Sequence, residues 1–168
     1  LGRAEDEEIH IYLAKQIPFE AGLGGGSSDA AATLKGLSAL WGIDPLDSAV
    51  IEVAAKLGAD VPFFLYGGCA YLDGKGDHFV HALEPRKGFL ALIRPEGSGV
   101  SSKEAYERFD EAPEYPTPEF IQEVAGCMQA SEVTPWNNLT PASLSLKPEL
   151  QEVFDLIEGS AKANAQVL

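Results

Sequence analysis

The densest chemistry in the sequence lies between Pro18 and Ser28, which reads Pro18, Phe19, Glu20, Ala21, Gly22, Leu23, Gly24, Gly25, Gly26, Ser27, Ser28. Glycine reaches positive φ without steric cost and lets a ligand approach the backbone. A helix start presents unpaired N–H groups and a partial positive charge. Together they make an anion site, most often one for phosphate. The run is not a Walker loop, because no Gly-Lys-Ser/Thr follows. Gly22-x-Gly24 also lacks the downstream spacing of a dinucleotide fingerprint. The plain alternative is a flexible turn, but a turn does not need four glycines running into two serines.

A second candidate is Asp60, which follows Gly58-Ala59 and precedes Val-Pro-Phe-Phe-Leu. Read alone, it is an ordinary turn or helix-end aspartate. Its apolar border predicts a partly desolvated carboxylate, and desolvation moves such a group toward a useful base. Asp29 reads as an acid matched to a helix N-terminus. His78 and His81 are three apart, which in a strand puts them on opposite faces. His10 carries no signal, and Trp41 and Trp136 read as packing residues.

Pro18-x-x-x-Gly-Leu-Gly-Gly-Gly-Ser-Ser-Asp-Ala-Ala resembles the second motif of the GHMP kinases, which phosphorylate small alcohols with ATP. The triple glycine and the later Leu57-Gly-Ala-Asp-Val-Pro-Phe-Phe narrow the resemblance. They point to the branch whose substrate is 4-diphosphocytidyl-2-C-methyl-D-erythritol, in non-mevalonate isoprenoid synthesis. The resemblance implies ATP bound along Pro18 to Ser28, with Gly24, Gly25, Gly26, Ser27 and Ser28 at the phosphates. A serine there would help hold Mg²⁺. It makes Asp60 the general base that takes the proton from the attacking hydroxyl. Two rivals remain at this point. One is a family member acting on homoserine, mevalonate or a sugar, and the other is a non-catalytic nucleotide-binding module.

Several elements must position these residues. Ile9 to Ile17 alternates as a strand, which Pro18 ends. A helix is expected from Ser27 or Ser28 to Leu40, capped by Ser27, Ser28 or Asp29. Its Leu34, Leu37 and Trp41 face the core, and Gly42 stops it. Leu46 to Leu57 reads as a second helix, with Ala49, Val50, Val53, Ala54 and Leu57 on one face. A hairpin follows, turning at residues 73–77. Composition shifts near residues 84–88, placing a domain boundary between 1–85 and 86–168. Beyond it come a doubly buried strand from Phe89 to Ile93, a helix capped by Ser101 or Ser102, and a proline-rich loop to Pro118. A helix from Glu119 to Met128 and a turn at Asn137 come next. A helix from Pro148 to about Ala163 then carries Leu150, Val153, Phe154 and Ile157. Residues 165–168 begin a strand.

The reading is α+β. The resemblance implies a GHMP kinase fold, with a ribosomal-S5-domain-2-like part followed by a ferredoxin-like part, both incomplete. The opening Leu1 and closing Val167-Leu168 suggest a piece of a longer polypeptide. The family's Pro-Ala-Lys-x-Asn strand, its cytidine-recognising segments and its late Gly-Ser-Gly loop have no counterpart in these 168 residues. Little kinase activity is therefore expected of the chain alone. A formal net charge of −14 argues against nucleic acid or an anionic membrane as partner. It leaves a nucleotide possible, since backbone N–H groups and Mg²⁺ supply positive charge locally. With 45% hydrophobic residues the chain can build a core. No apolar run is long enough to span a membrane. Cys69 and Cys127 read as reduced thiols of a cytoplasmic protein.

Overall fold

The computed structural model describes residues 8–18, 20–89, 91–95 and 99–160. The expectations for residues 1–7, Phe19 and residues 161–168 lie outside these. Contacts divide the chain into one unit of Leu1–Pro18 with Leu23–Leu83, and another of Phe19–Gly22 with Glu84–Leu168.

The first unit is built around helix α1, Gly25–Trp41. It starts two residues ahead of Ser27, inside the glycine run. Its N-cap is Gly24 at φ 64°, with no side-chain cap, so none of Ser27, Ser28 and Asp29 caps it. A left-handed glycine turns the chain straight into the helix, and Ser28 Oγ donates instead to Gly25 O at 2.8 Å. The far end stops at Gly42, φ 65°, where the Ile43 N–H donates to Ser38 O at 2.8 Å.

Helix α2, Ser48–Leu57, is capped by Asp47, which accepts from the Ala49 N–H at 2.9 Å. Helix α3 follows at Val61–Tyr66, with Pro62 in its first turn. The core lies among these three helices and consists of Ala31, Leu34, Val50, Ala54, Val61 and Leu65. Ala30 and Ala31 keep the N-terminal half of α1 thin enough for this contact. The buried stripe of α2 is narrower than its sequence suggests. Val50 and Ala54 are buried, but Ala49, Val53 and Leu57 face outward. The partner helices cover only that stripe.

The hairpin forms as expected. Strand β1, Ala70–Asp73, pairs antiparallel with β2, His78–Ala82, through a bulge between Tyr71 and Leu72. Gly74 and Gly76 at positive φ close the turn. The expected strand at residues 9–17 does not form. Its alternation is present, but a strand needs a ladder, and no described residue pairs with it. Tyr12 is 92% exposed as a result.

In the second unit, helix α4, Ser102–Glu111, is capped by Ser101. Helix α5, Pro118–Gly126, is capped by Thr117, which accepts from the Phe120 N–H. Helices α6, Thr140–Leu146, and α7, Glu149–Ser160, complete the described residues. Arg108 Nε donates to Ser145 Oγ at 2.9 Å and ties α4 to α6. An isolated parallel bridge joins Glu84 to Gln129. The doubly buried strand expected at residues 89–93 does not form. Phe89 and residues 91–93 are irregular and exposed, because no neighbouring strand covers them. Described helices and one small sheet make the chain mixed α and β. Among the described residues, no helix is long and apolar enough to cross a membrane.

Candidate functional site

Three consecutive glycines in the loop have three different surroundings. A Cβ on Gly24 would stand 2.8 Å from Phe64 Cζ, and Gly24 also needs its positive φ. A Cβ on Gly25 would stand 2.9 Å from Ile17 Cγ2 and 3.6 Å from Lys15 Nζ. A Cβ on Gly26 would meet nothing within 4 Å. Gly24 and Gly25 are glycine because protein closes on them. Gly26 is glycine with open space before it, which is where a ligand has room.

The first internal bond of α1 runs from the Ser28 N–H to Gly24 O at 2.8 Å. The amides of Gly25, Gly26 and Ser27 therefore precede the helical ladder, and among the described residues no side chain caps them. Three N–H donors at a helix start suit an anion. Pro18 and Leu23 flank this run and are exposed. Ala21 and Gly22 belong to the second unit by contact, as does Glu20. Glu20 sits at φ 52°, and its carbonyl accepts from the Val100 N–H at 3.2 Å.

Asp60 stands at the N-cap position of α3, one helical turn before Phe64, the residue whose ring closes on Gly24. Its carboxylate does not cap the helix. The expected desolvation is absent, because Asp60 is exposed rather than lodged in the apolar run. Val61, Pro62 and Leu65 turn inward and leave Asp60 at the rim.

The sequence reading missed two residues. The Phe64 ring lies against Gly24, and only its place in Leu-Gly-Ala-Asp-Val-Pro-Phe-Phe hinted at a role. Lys15 forms an ion pair with Asp29. A lone cation in an apolar alternation, three residues before Pro18, was the available signal. Asp29 is thus bound to a cation rather than to the helix start. His78 pairs with Asp73, and His81 stacks on Tyr71 with centroids 5.5 Å apart, so neither belongs to the site. Among the described residues, no three His, Cys, Asp or Glu side chains gather to hold a metal.

Residues 1–68 match the family described as GHMP kinases N terminal domain. By that match, residues 1–68 form a GHMP kinase N-terminal domain. The chain's relatives include proteins named 4-diphosphocytidyl-2-C-methyl-D-erythritol kinase. That of Brevibacillus brevis is 36% identical over 90% of this chain and 53% of its own length. That of a Nocardioides species is 38% identical over 92% of this chain and 53% of its own length. That of Desulfitobacterium hafniense is 38% identical over 89% of this chain and 52% of its own length. The chain thus spans about half the length of the curated relatives it matches.

Proposed function

We propose that this chain is the nucleotide-binding part of an ATP-dependent kinase whose acceptor is the 2-hydroxyl of 4-diphosphocytidyl-2-C-methyl-D-erythritol, acting in isoprenoid biosynthesis. The observation that carries the reading is the loop itself. The amides of Gly25, Gly26 and Ser27 open α1 without a side-chain cap from Gly24, and the vacant Cβ position of Gly26 has nothing within 4 Å, in a chain whose relatives bear that kinase's name.

In this reading the loop amides hold the phosphates of ATP. Mg²⁺ bound with those phosphates would offset part of their charge. Ser28 fits a nearby cation, because its hydroxyl proton is already committed to Gly25 O and its lone pairs are not. The substrate hydroxyl oxygen bonds to the γ-phosphorus, the bond from that phosphorus to the β–γ bridging oxygen breaks, and ADP leaves. Asp60 accepts the hydroxyl proton, and its exposed position lets it return the proton to water. The two halves follow the family arrangement, ribosomal-S5-like over 1–85 and ferredoxin-like over 86–168. The protein works in the cytoplasm.

The test is phosphate transfer from γ-labelled ATP to the diphosphocytidyl alcohol at high chain concentration, beside Mg·ATP affinity. Asp60→Asn should cut the slow transfer about 10²–10⁴-fold and leave affinity for ATP unchanged. Transfer unaffected by Asp60→Asn removes Asp60 as the base. Binding of Mg·ATP with no transfer at all overturns the kinase reading for this chain and leaves a binding module.

A further inference from the structure

Lys15 and Asp29 form an ion pair across 14 residues of sequence, with side chains only 21% and 32% exposed. Two things set this pair apart from the other ion pairs of the described residues. It is less exposed than any of them. It also lies against the loop, since the vacant Cβ position of Gly25 is 3.6 Å from Lys15 Nζ. Lys15 comes from the irregular segment 8–17, which no described residue pairs with in a ladder. Ile17 from the same segment packs on the same face of Gly25. These two side chains are thus contacts between the segment and the loop. Asp29 is the fifth residue of α1, beyond the first turn where the helix dipole acts.

We propose that Asp29 is a positioning residue for the phosphate site, holding the Lys15 ammonium beside Gly25 where it adds a cation to the loop's uncapped amides. This rests on the proposed binding of nucleotide phosphates at the loop. Simple electrostatics and positioning make opposite predictions here. Deleting a carboxylate near an anion site should tighten anion binding by Coulomb's law alone. If Asp29 acts through Lys15, deleting it should weaken binding, because the ammonium loses the carboxylate that draws it beside Gly25.

The experiment is a double-mutant cycle on the full 168-residue chain, read as the Kd of Mg·ATP and of inorganic tripolyphosphate, with Tm measured on each variant. Asp29→Asn and Lys15→Met should each weaken both ligands about tenfold, and the double variant should also lose about tenfold rather than the product of the two. A structural staple would move Tm without that coupling in the ligand affinities. The charge swap Lys15→Asp with Asp29→Lys should restore Tm but not affinity. Unchanged or tighter binding by Asp29→Asn, additive losses, or a swap that restores affinity each overturn the proposal. Gly26→Leu separates it from the reading on which it rests. If Gly26→Leu leaves tripolyphosphate binding intact, the loop is not the phosphate site and both readings fall. If Gly26→Leu abolishes binding while Asp29→Asn does nothing, only the positioning role falls.

Discussion

Gly24 and Gly26 are two residues apart, yet substitution should affect them in opposite ways. Gly24→Ala places a methyl 2.8 Å from Phe64 Cζ and 3.0 Å from Cε2, at φ 64°. An L-residue in the left-handed region costs about 1–2 kcal/mol before any clash. For a chain of this size that lowers Tm by about 2–8 °C. Displacing the Phe64 ring adds to the cost, because Phe64 packs against the core. Gly26→Leu sits in ordinary helical backbone with nothing within 4 Å of its Cβ. Leucine is the better helix former by up to about 0.8 kcal/mol, so Tm should hold or rise by up to about 3 °C. Affinity for Mg·ATP should fall instead, because the side chain fills the space before the amides. Losing one charge-assisted hydrogen bond, at about 1.5–3 kcal/mol, corresponds to roughly a 10- to 100-fold weaker Kd. Thermal melts and titration calorimetry on the two variants read both quantities. A Gly26→Leu chain that binds Mg·ATP as tightly as the parent would refute the assignment of the open face to the ligand. A Gly24→Ala chain with unchanged Tm would refute the role of the Phe64 contact.

Other substitutions probe the scaffold. Leu65→Ala removes a side chain 3% exposed at the centre of the three-helix core, and should cost about 2–4 kcal/mol in denaturant melts. Asp47→Ala deletes the cap of α2 and should cost about 1 kcal/mol, while Asp47→Asn should keep most of it. Glu52 lies below its ordinary value of 4.5 because of its hydrogen bond and charge attraction to Lys56. Its folded-state value being depressed, the pair's contribution is present above pH 4.5 and fades as pH falls through the folded value. The pair is fully exposed, so Glu52→Gln should change stability little at pH 7 and flatten the acid side of the pH profile. That profile, from melts between pH 3 and 7, checks the sign.

Short-range features were legible in the sequence because they depend on a few neighbouring residues. Glycine at Gly42 stops α1, Ser101 caps α4, and Asp73-Gly-Lys-Gly-Asp77 closes a hairpin. The Gly-Gly-Gly-Ser-Ser run announced a helix start led by glycines, and α1 begins inside it. Features that need a distant partner were not legible in the same way. Residues 9–17 and 89–93 have strand patterning, but a ladder is a property of two segments, and among the described residues the second is missing. Asp60 reads as bordered by apolar residues, yet the direction in which α3 packs turns those residues inward and leaves the carboxylate outside. Three glycines in a row look equivalent in one dimension. Packing alone distinguishes them, by setting Phe64 over Gly24, Ile17 over Gly25 and nothing over Gly26. The pairing of Lys15 with Asp29 is of the same kind, since opposite charges 14 residues apart attract strongly only when the fold brings them into contact and shields them from water.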